Sequence, residues 1–159
     1  MPDAIVVNAS PLIFLGNAGR LDLLRAIGAS RVIVPEAVFS EVTATSHADP
    51  ASRAIAEADW IERLATLPIP VSVLEWDLGP GESNVVAACL QIPAARPVID
   101  DLAARKCALA VGLSPIGTLG IVIAAHRRGH IENPRQVLLD LRTSGMWLSD
   151  SVIERALRF

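Results

Sequence analysis

Short, continuous apolar runs alternate along this chain with stretches in which apolar residues recur every three or four positions, and polar or turn-forming residues mark the boundaries. Ala4 to Val7 is the first such run, the pattern of a strand buried on both faces of a parallel sheet. It stops at Asn8, after which Ser10-Pro11 reads as a helix N-cap followed by proline at the first helical position. Leu21, Leu23, Leu24 and Ile27 predict further helix ending at Gly28, and Arg31 to Val34 a second strand. Pro35 opens a helix in which Ala37, Val38, Glu41 and Val42 share one side, so Glu41 is expected along an apolar face. Residues 46–53 read as turn and Ala54 to Ala58 as helix. Trp60 to Leu67 fits a helix end or a strand, and Val71 to Glu75 a strand.

Leu78-Gly79-Pro80-Gly81 then breaks the chain before a helix from Glu82 to Leu90, with Glu82 on the side of Val85 and Val86. Pro97 to Ile99 reads as a short buried strand ending at Asp100, Leu102 to Val111 as helix and Leu113 to Ile116 as strand. Three helices follow: Leu119 to Arg128 closed by Gly129, Asn133-Pro134 through Leu141 with Gly145 beyond it, and Ser149 to Leu157. Strands alternating with helices predict a doubly wound, three-layer α/β/α fold around a parallel central sheet. In that class, ligands bind beyond the carboxyl ends of the strands where strand order reverses, and Asn8 and Asp100 both follow strands.

Composition narrows the function. A chain of 159 residues, 52% hydrophobic, is expected to form one domain over residues 1–159. Its formal charge of -3 argues against electrostatic coating of nucleic acid. Three Phe, three Trp and no Tyr argue against a platform of stacked aromatics. Cys89 and Cys107 form no metal-type pair and read as reduced thiols, which fits the cytosol. The N-terminus lacks a basic region, so no leader is expected. Cys107 to Ala125 carries no charge and is long enough to cross a bilayer, but Gly112, Ser114, Pro115, Gly117 and Gly120 break it into separate elements, so no membrane span is expected.

The chemistry lies at the element ends. Asn8, Glu41, Glu82 and the pair Asp100-Asp101 bear oxygen donors that would suit a hard divalent cation if they converge. Each also has a local explanation. Asp100 or Asp101 can cap the following helix, Glu82 can complement the dipole of its own helix, and Asn8 can close an Asx-type turn. Two rival motifs fail: Gly79-x-Gly81-x-x-Asn84 lacks the third glycine of a dinucleotide-binding loop, and Gly129 separates His126 from His130.

Taken together, Val6-Val7-Asn8-Ala9-Ser10-Pro11-Leu12-Ile13, Val34-Pro35 through Ser40-Glu41-Val42, Leu78-Gly79-Pro80-Gly81-Glu82-Ser83, Val98-Ile99-Asp100-Asp101 with Arg105, and Gly117-Thr118-Leu119-Gly120 resemble a PIN-domain protein. The resemblance is to a VapC-like branch of small proteins whose first motif reads N-[TA]-S-P-L-I. It runs nearly the length of the chain, to Gly145, Trp147, Leu148 and Ser149. It implies a Mg²⁺- or Mn²⁺-dependent endoribonuclease of the toxin type, cytoplasmic and homodimeric, with a small antitoxin as partner and RNA as substrate. By motif, Asn8, Glu41, Glu82 and Asp100 are the implied catalytic positions, with Glu82, Asp100, Asp101 and Asn8 as metal ligands. Ser10 is a further candidate substrate contact; Gly117-Thr118 opens a helix whose N-terminus and hydroxyl can hold a phosphate or simply form a tight strand-to-helix turn, and Arg105, Lys106, Arg127 and Arg128 are candidate RNA-backbone contacts or solvated helix faces. The departure is Asn8, where nuclease-competent relatives carry Asp. Its amide brings no charge to the cation, and the alternative is therefore a non-catalytic binding module with weakened metal binding.

Overall fold

The computed structural model describes residues 2–44 and 49–158. Four strands form one parallel sheet: β1 (Ala4–Val7), β2 (Arg31–Pro35), β3 (Ile61–Leu64) and β4 (Ala95–Val98), in the order β3-β2-β1-β4. β1 is apolar and buried throughout, whereas β4 is buried only at Pro97 and Val98; Ile5, Val6, Val7 and Val98 have no solvent exposure. β3 is an edge strand, and its Glu62 and Arg63 pair with Arg31 and Glu36 in exposed salt bridges that put charge on that edge.

Helices cover both faces: α1 (Ala9–Asn17), α2 (Leu23–Ala26), α3 (Glu36–Thr43), α4 (Pro50–Glu57), α5 (Val71–Leu74), α6 (Pro80–Gln91), α7 (Leu102–Ala110), α8 (Thr118–Arg127), α9 (Pro134–Thr143) and α10 (Asp150–Ala156). This is the three-layer α/β/α arrangement that the alternating pattern predicts. Among the described residues, no helix is long and apolar enough to cross a membrane. Cys89 and Cys107 are free and buried in α6 and α7, where loss of water pushes the Cys89 thiol up to about 12.

Four local expectations are corrected. α1 starts at Ala9, not after Ser10, so Pro11 occupies its third position, where the amide it lacks would have had no intrahelical partner. Of residues 46–53, those from Pro50 onward are helical, and 45–48 lie outside the described residues. Val71 to Glu75 is not a strand: α5 is a single helical turn opened by Pro70, with Val73 buried while Val71 and Leu74 face solvent. Leu113 to Ile116 contributes only one bridge, Ile116 to Val98, because Pro115 has no amide with which to extend a ladder.

The strand order places the reversal between β1 and β4, since β1 leads outward to β2 and β3 while β4 joins on its other side. The crevice of a doubly wound fold opens there, beyond Val7 and Val98.

Candidate metal centre

Asn8 is the residue that β1 delivers to this crevice. Its backbone N–H donates to the carbonyl of Val98 at 3.0 Å, fixing the end of β1 to the end of β4. The side chain is 2% exposed and makes no capping bond to α1, so the Asx-turn explanation fails. Its Oδ1 is buried without a hydrogen-bond partner, a state costing about 1–3 kcal/mol unless something electropositive arrives.

α3 packs against α6 and brings Glu41 to the same place. Val38 and Val42 bury the inner face of α3, whereas Glu41 is exposed at the margin of that face and directs its carboxylate toward the start of α6. Gly81 shows the convergence: a Cβ placed there would lie 3.0 Å from Glu41 Oε2 and 3.3 Å from Asn8 Oδ1. Two acceptor oxygens from distant parts of the chain thus border one glycine. Glu82, in the first turn of α6, folds its Oε2 over Gly79, 2.6 Å from where a Cβ would stand. The Glu41 carboxyl is held above its ordinary range, first by loss of water and then by repulsion from Glu82. Those two carboxylates sense each other across the start of α6.

Asp100 follows β4 at the same end of the sheet, in a different environment. Its Oδ1 accepts from the Thr118 N–H at 2.7 Å and its Oδ2 from the Thr118 hydroxyl at 2.6 Å. The carboxylate thereby closes the N-terminus of α8 and neutralises the positive end of its dipole. Gly117 permits the approach, since a Cβ there would lie 2.8 Å from Asp100 Oδ1 and 3.1 Å from Arg105 Nη1. Arg105 Nη1 also donates to the Ile99 carbonyl at 2.9 Å. Asp101 is exposed and caps α7, its Oδ2 accepting from the Ala104 N–H at 2.9 Å. Ser10 is half-buried on α1.

The sequence-derived set therefore divides. Asn8, Glu41 and Glu82 gather around Gly79 and Gly81; Asp100, Arg105, Gly117 and Thr118 form a second, hydrogen-bonded group across the crevice. Asp101 acts locally as a helix cap. In this geometry both Thr118 donors are committed to Asp100. Sequence reasoning missed Gly79 and Gly81 as residues of the site, although the Leu-Gly-Pro-Gly-Glu run was visible as a chain break.

These residues fit a hard cation. An orphaned amide oxygen, a carboxylate facing the same glycine and a second carboxylate held close enough to repel the first form an electron-rich cradle. Among the described residues, no three His, Cys, Asp or Glu side chains cluster closely enough to hold an ion by themselves. A cation held here would take a mixed amide and carboxylate donor set and would need water to complete it, as Mg²⁺, which keeps several waters, allows.

A parallel sheet with flanking helices, an oxygen-donor cradle and a capped carboxylate beyond its reversal point define the class of α/β protein at hand. The chain belongs to the PIN-domain family: the family model DUF3368, described as a PIN domain, matches residues 4–159. Searches of curated proteins and of solved structures gave no significant match.

Proposed function

We propose that this PIN domain is a metal-dependent endoribonuclease of the VapC-like toxin type, hydrolysing RNA phosphodiester bonds in the crevice between β1 and β4. The observation that supports it best is the pairing of Asn8 Oδ1 and Glu41 Oε2 around Gly81, because acceptor oxygens without a donor between them suit a divalent cation. Asn8 and Glu82 would hold Mg²⁺ or Mn²⁺, with Asp100 joining from across the crevice and Glu41 standing beside the ion. When bound, the cation would supply Lewis acidity to the phosphate and lower the pKa of water.

The protein's own groups have separate tasks. Asn8 contributes a neutral oxygen from a buried position at the end of β1. Glu41, whose carboxyl is disposed to take up a proton, suits the role of accepting one from the attacking water. Asp100 is oriented by Thr118, and Arg105 brings positive charge beside it to meet a phosphate oxygen. The toxin assignment, the antitoxin partner, homodimer formation and a cytoplasmic location rest on the motif resemblance.

The test is RNA cleavage with and without Mn²⁺ in wild type, Glu82→Gln and Glu41→Gln. Cleavage that requires metal and disappears in both variants supports the reading; cleavage that survives both substitutions and chelation refutes it. The neutral Asn8 and the absence of a three-acid cluster among the described residues favour a second reading, a binding module too weakly charged to retain metal. That reading expects no Mn²⁺ heat in calorimetry for wild type and a measurable heat for Asn8→Asp.

A further inference from the structure

A cleft of about 800 Å³ leads away from Asp100 along α8 to the segment between α9 and α10. Arg96, Arg105 and Arg127 line it together with Trp147. Elsewhere, Arg20, Arg31, Arg63, Arg135 and Arg142 each pair with a carboxylate. Among the described residues, none of the three cleft arginines forms a salt bridge. The one carboxylate on the wall, Asp100, is bonded to Thr118. Arg96 and Arg105 are half-buried, and their only side-chain hydrogen bonds among the described residues are to carbonyls, of Ser114 and Ile99. Arg96 and Arg105 lie close enough that, after burial, repulsion from Arg105 lowers the Arg96 pKa, and an anion between these guanidiniums would offset that repulsion.

Trp147 supplies a different chemistry. The chain leaves α9 through Gly145 and runs irregularly to Ser149, with Met146 and Leu148 turned inward at 9% and 7% exposure and Trp147 outward at 88%. A large apolar indole so exposed at the mouth of a cationic cleft matches a ligand with both a flat π-face and a regular negative charge. Composition argues against a platform of several aromatics, but one indole suffices to stack one base.

We propose that this cleft is a single-stranded RNA subsite in which Arg96, Arg105 and Arg127 contact backbone phosphates and Trp147 stacks on a nucleobase flanking the scissile bond. The inference rests on the nuclease reading for its placement beside the site, but its test does not depend on cleavage. Binding of a fluorescein-labelled single-stranded oligoribonucleotide to the full chain is measured in chelator by anisotropy. Trp147→Ala is expected to weaken binding about 5- to 100-fold, with Trp147→Phe retaining most of the affinity. Arg127→Ala is expected to weaken all sequences alike and to reduce the slope of log affinity against log salt by about one. A duplex of the same sequence, its bases already stacked, should bind more weakly.

Wild-type affinity retained in both Trp147→Ala and Arg127→Ala overturns the subsite, and leaves the nuclease reading standing if Mn²⁺-dependent cleavage persists. Trp147-dependent binding without cleavage in Mn²⁺ supports the subsite and removes the nuclease reading. Failure of wild type to bind the oligonucleotide overturns the subsite and leaves the face to a protein partner. Because Trp147 is so exposed, the variant should melt with wild type, which separates lost contact from lost fold.

Discussion

The two sides of the crevice use the same functional groups to opposite ends. On the α3–α6 side, Asn8 Oδ1 has no partner, Glu41 and Glu82 repel each other, and glycine makes room for them. Across the crevice, both oxygens of Asp100 are bonded to Thr118 and a guanidinium stands nearby. The first side is an electrostatic debt that a cation would settle; the second is already hydrogen-bonded and oriented, its charge intact. A carboxylate at a strand end therefore says little about its role until its hydrogen bonds are known.

That contrast can be broken from either side, and the largest effect belongs to the unsatisfied one. Glu82→Gln or Glu41→Gln should lower Mn²⁺-dependent RNA cleavage by about 10²–10³-fold, read as single-turnover rates, while each variant remains folded. On the satisfied side, Thr118→Val should cost about 1.5–3 kcal/mol of stability in denaturant titration, because it removes a charge-assisted bond from a fully buried residue. Equal stability losses on both sides would erase the distinction.

Asn8→Asp sharpens the comparison. It should raise Mn²⁺ affinity in calorimetry and lower the melting temperature of the metal-free chain, since a third negative charge joins Glu41 and Glu82 in a buried position. Gly81→Ala should act more gently. Its methyl group enters the space shared by Glu41, Asn8 and Val38 at the start of α6, so Mn²⁺ affinity should fall by several-fold in calorimetry.

The smallest effect is a pH dependence. The folded-state pKa of Glu41 is raised, so the folded protein binds more protons than the unfolded chain across the interval just above the ordinary carboxylate range. Its destabilising contribution is absent below the unfolded pKa and grows as pH rises through the folded one. Metal-free Glu41→Gln should accordingly be slightly more stable than wild type at neutral pH, the gap closing on acidification. A gap that widens on acidification would contradict the raised Glu41 pKa that burial, and then repulsion from Glu82, produce.

Much of the fold was legible because its signals are local. Apolar runs at Ala4–Val7 and Arg31–Pro35 and proline or glycine at element ends report burial and turns within a few residues. Val71 to Glu75 misled for the same reason: β-branched residues favour a strand, but the chain from Pro70 closes one helical turn to bury Val73 alone. Of the site, residue identities and their positions at element ends were readable, whereas the fate of each oxygen was not. Asp100 and Thr118 are separated by 18 positions, and no local rule joins them.

The sequence by itself determined the alternating architecture, the strand ends that carry Asn8 and Asp100, and the absence of charge at position 8. Only the tertiary structure decided that Glu41 meets Asn8 beside Gly81, that Asp100 is oriented by Thr118, and that Trp147 stands outside a cationic cleft. Periodicity records which side of an element is buried, a property of neighbouring residues. Hydrogen-bond satisfaction and charge pairing depend on what the rest of the chain brings to that side, and they exist only once the layers have packed.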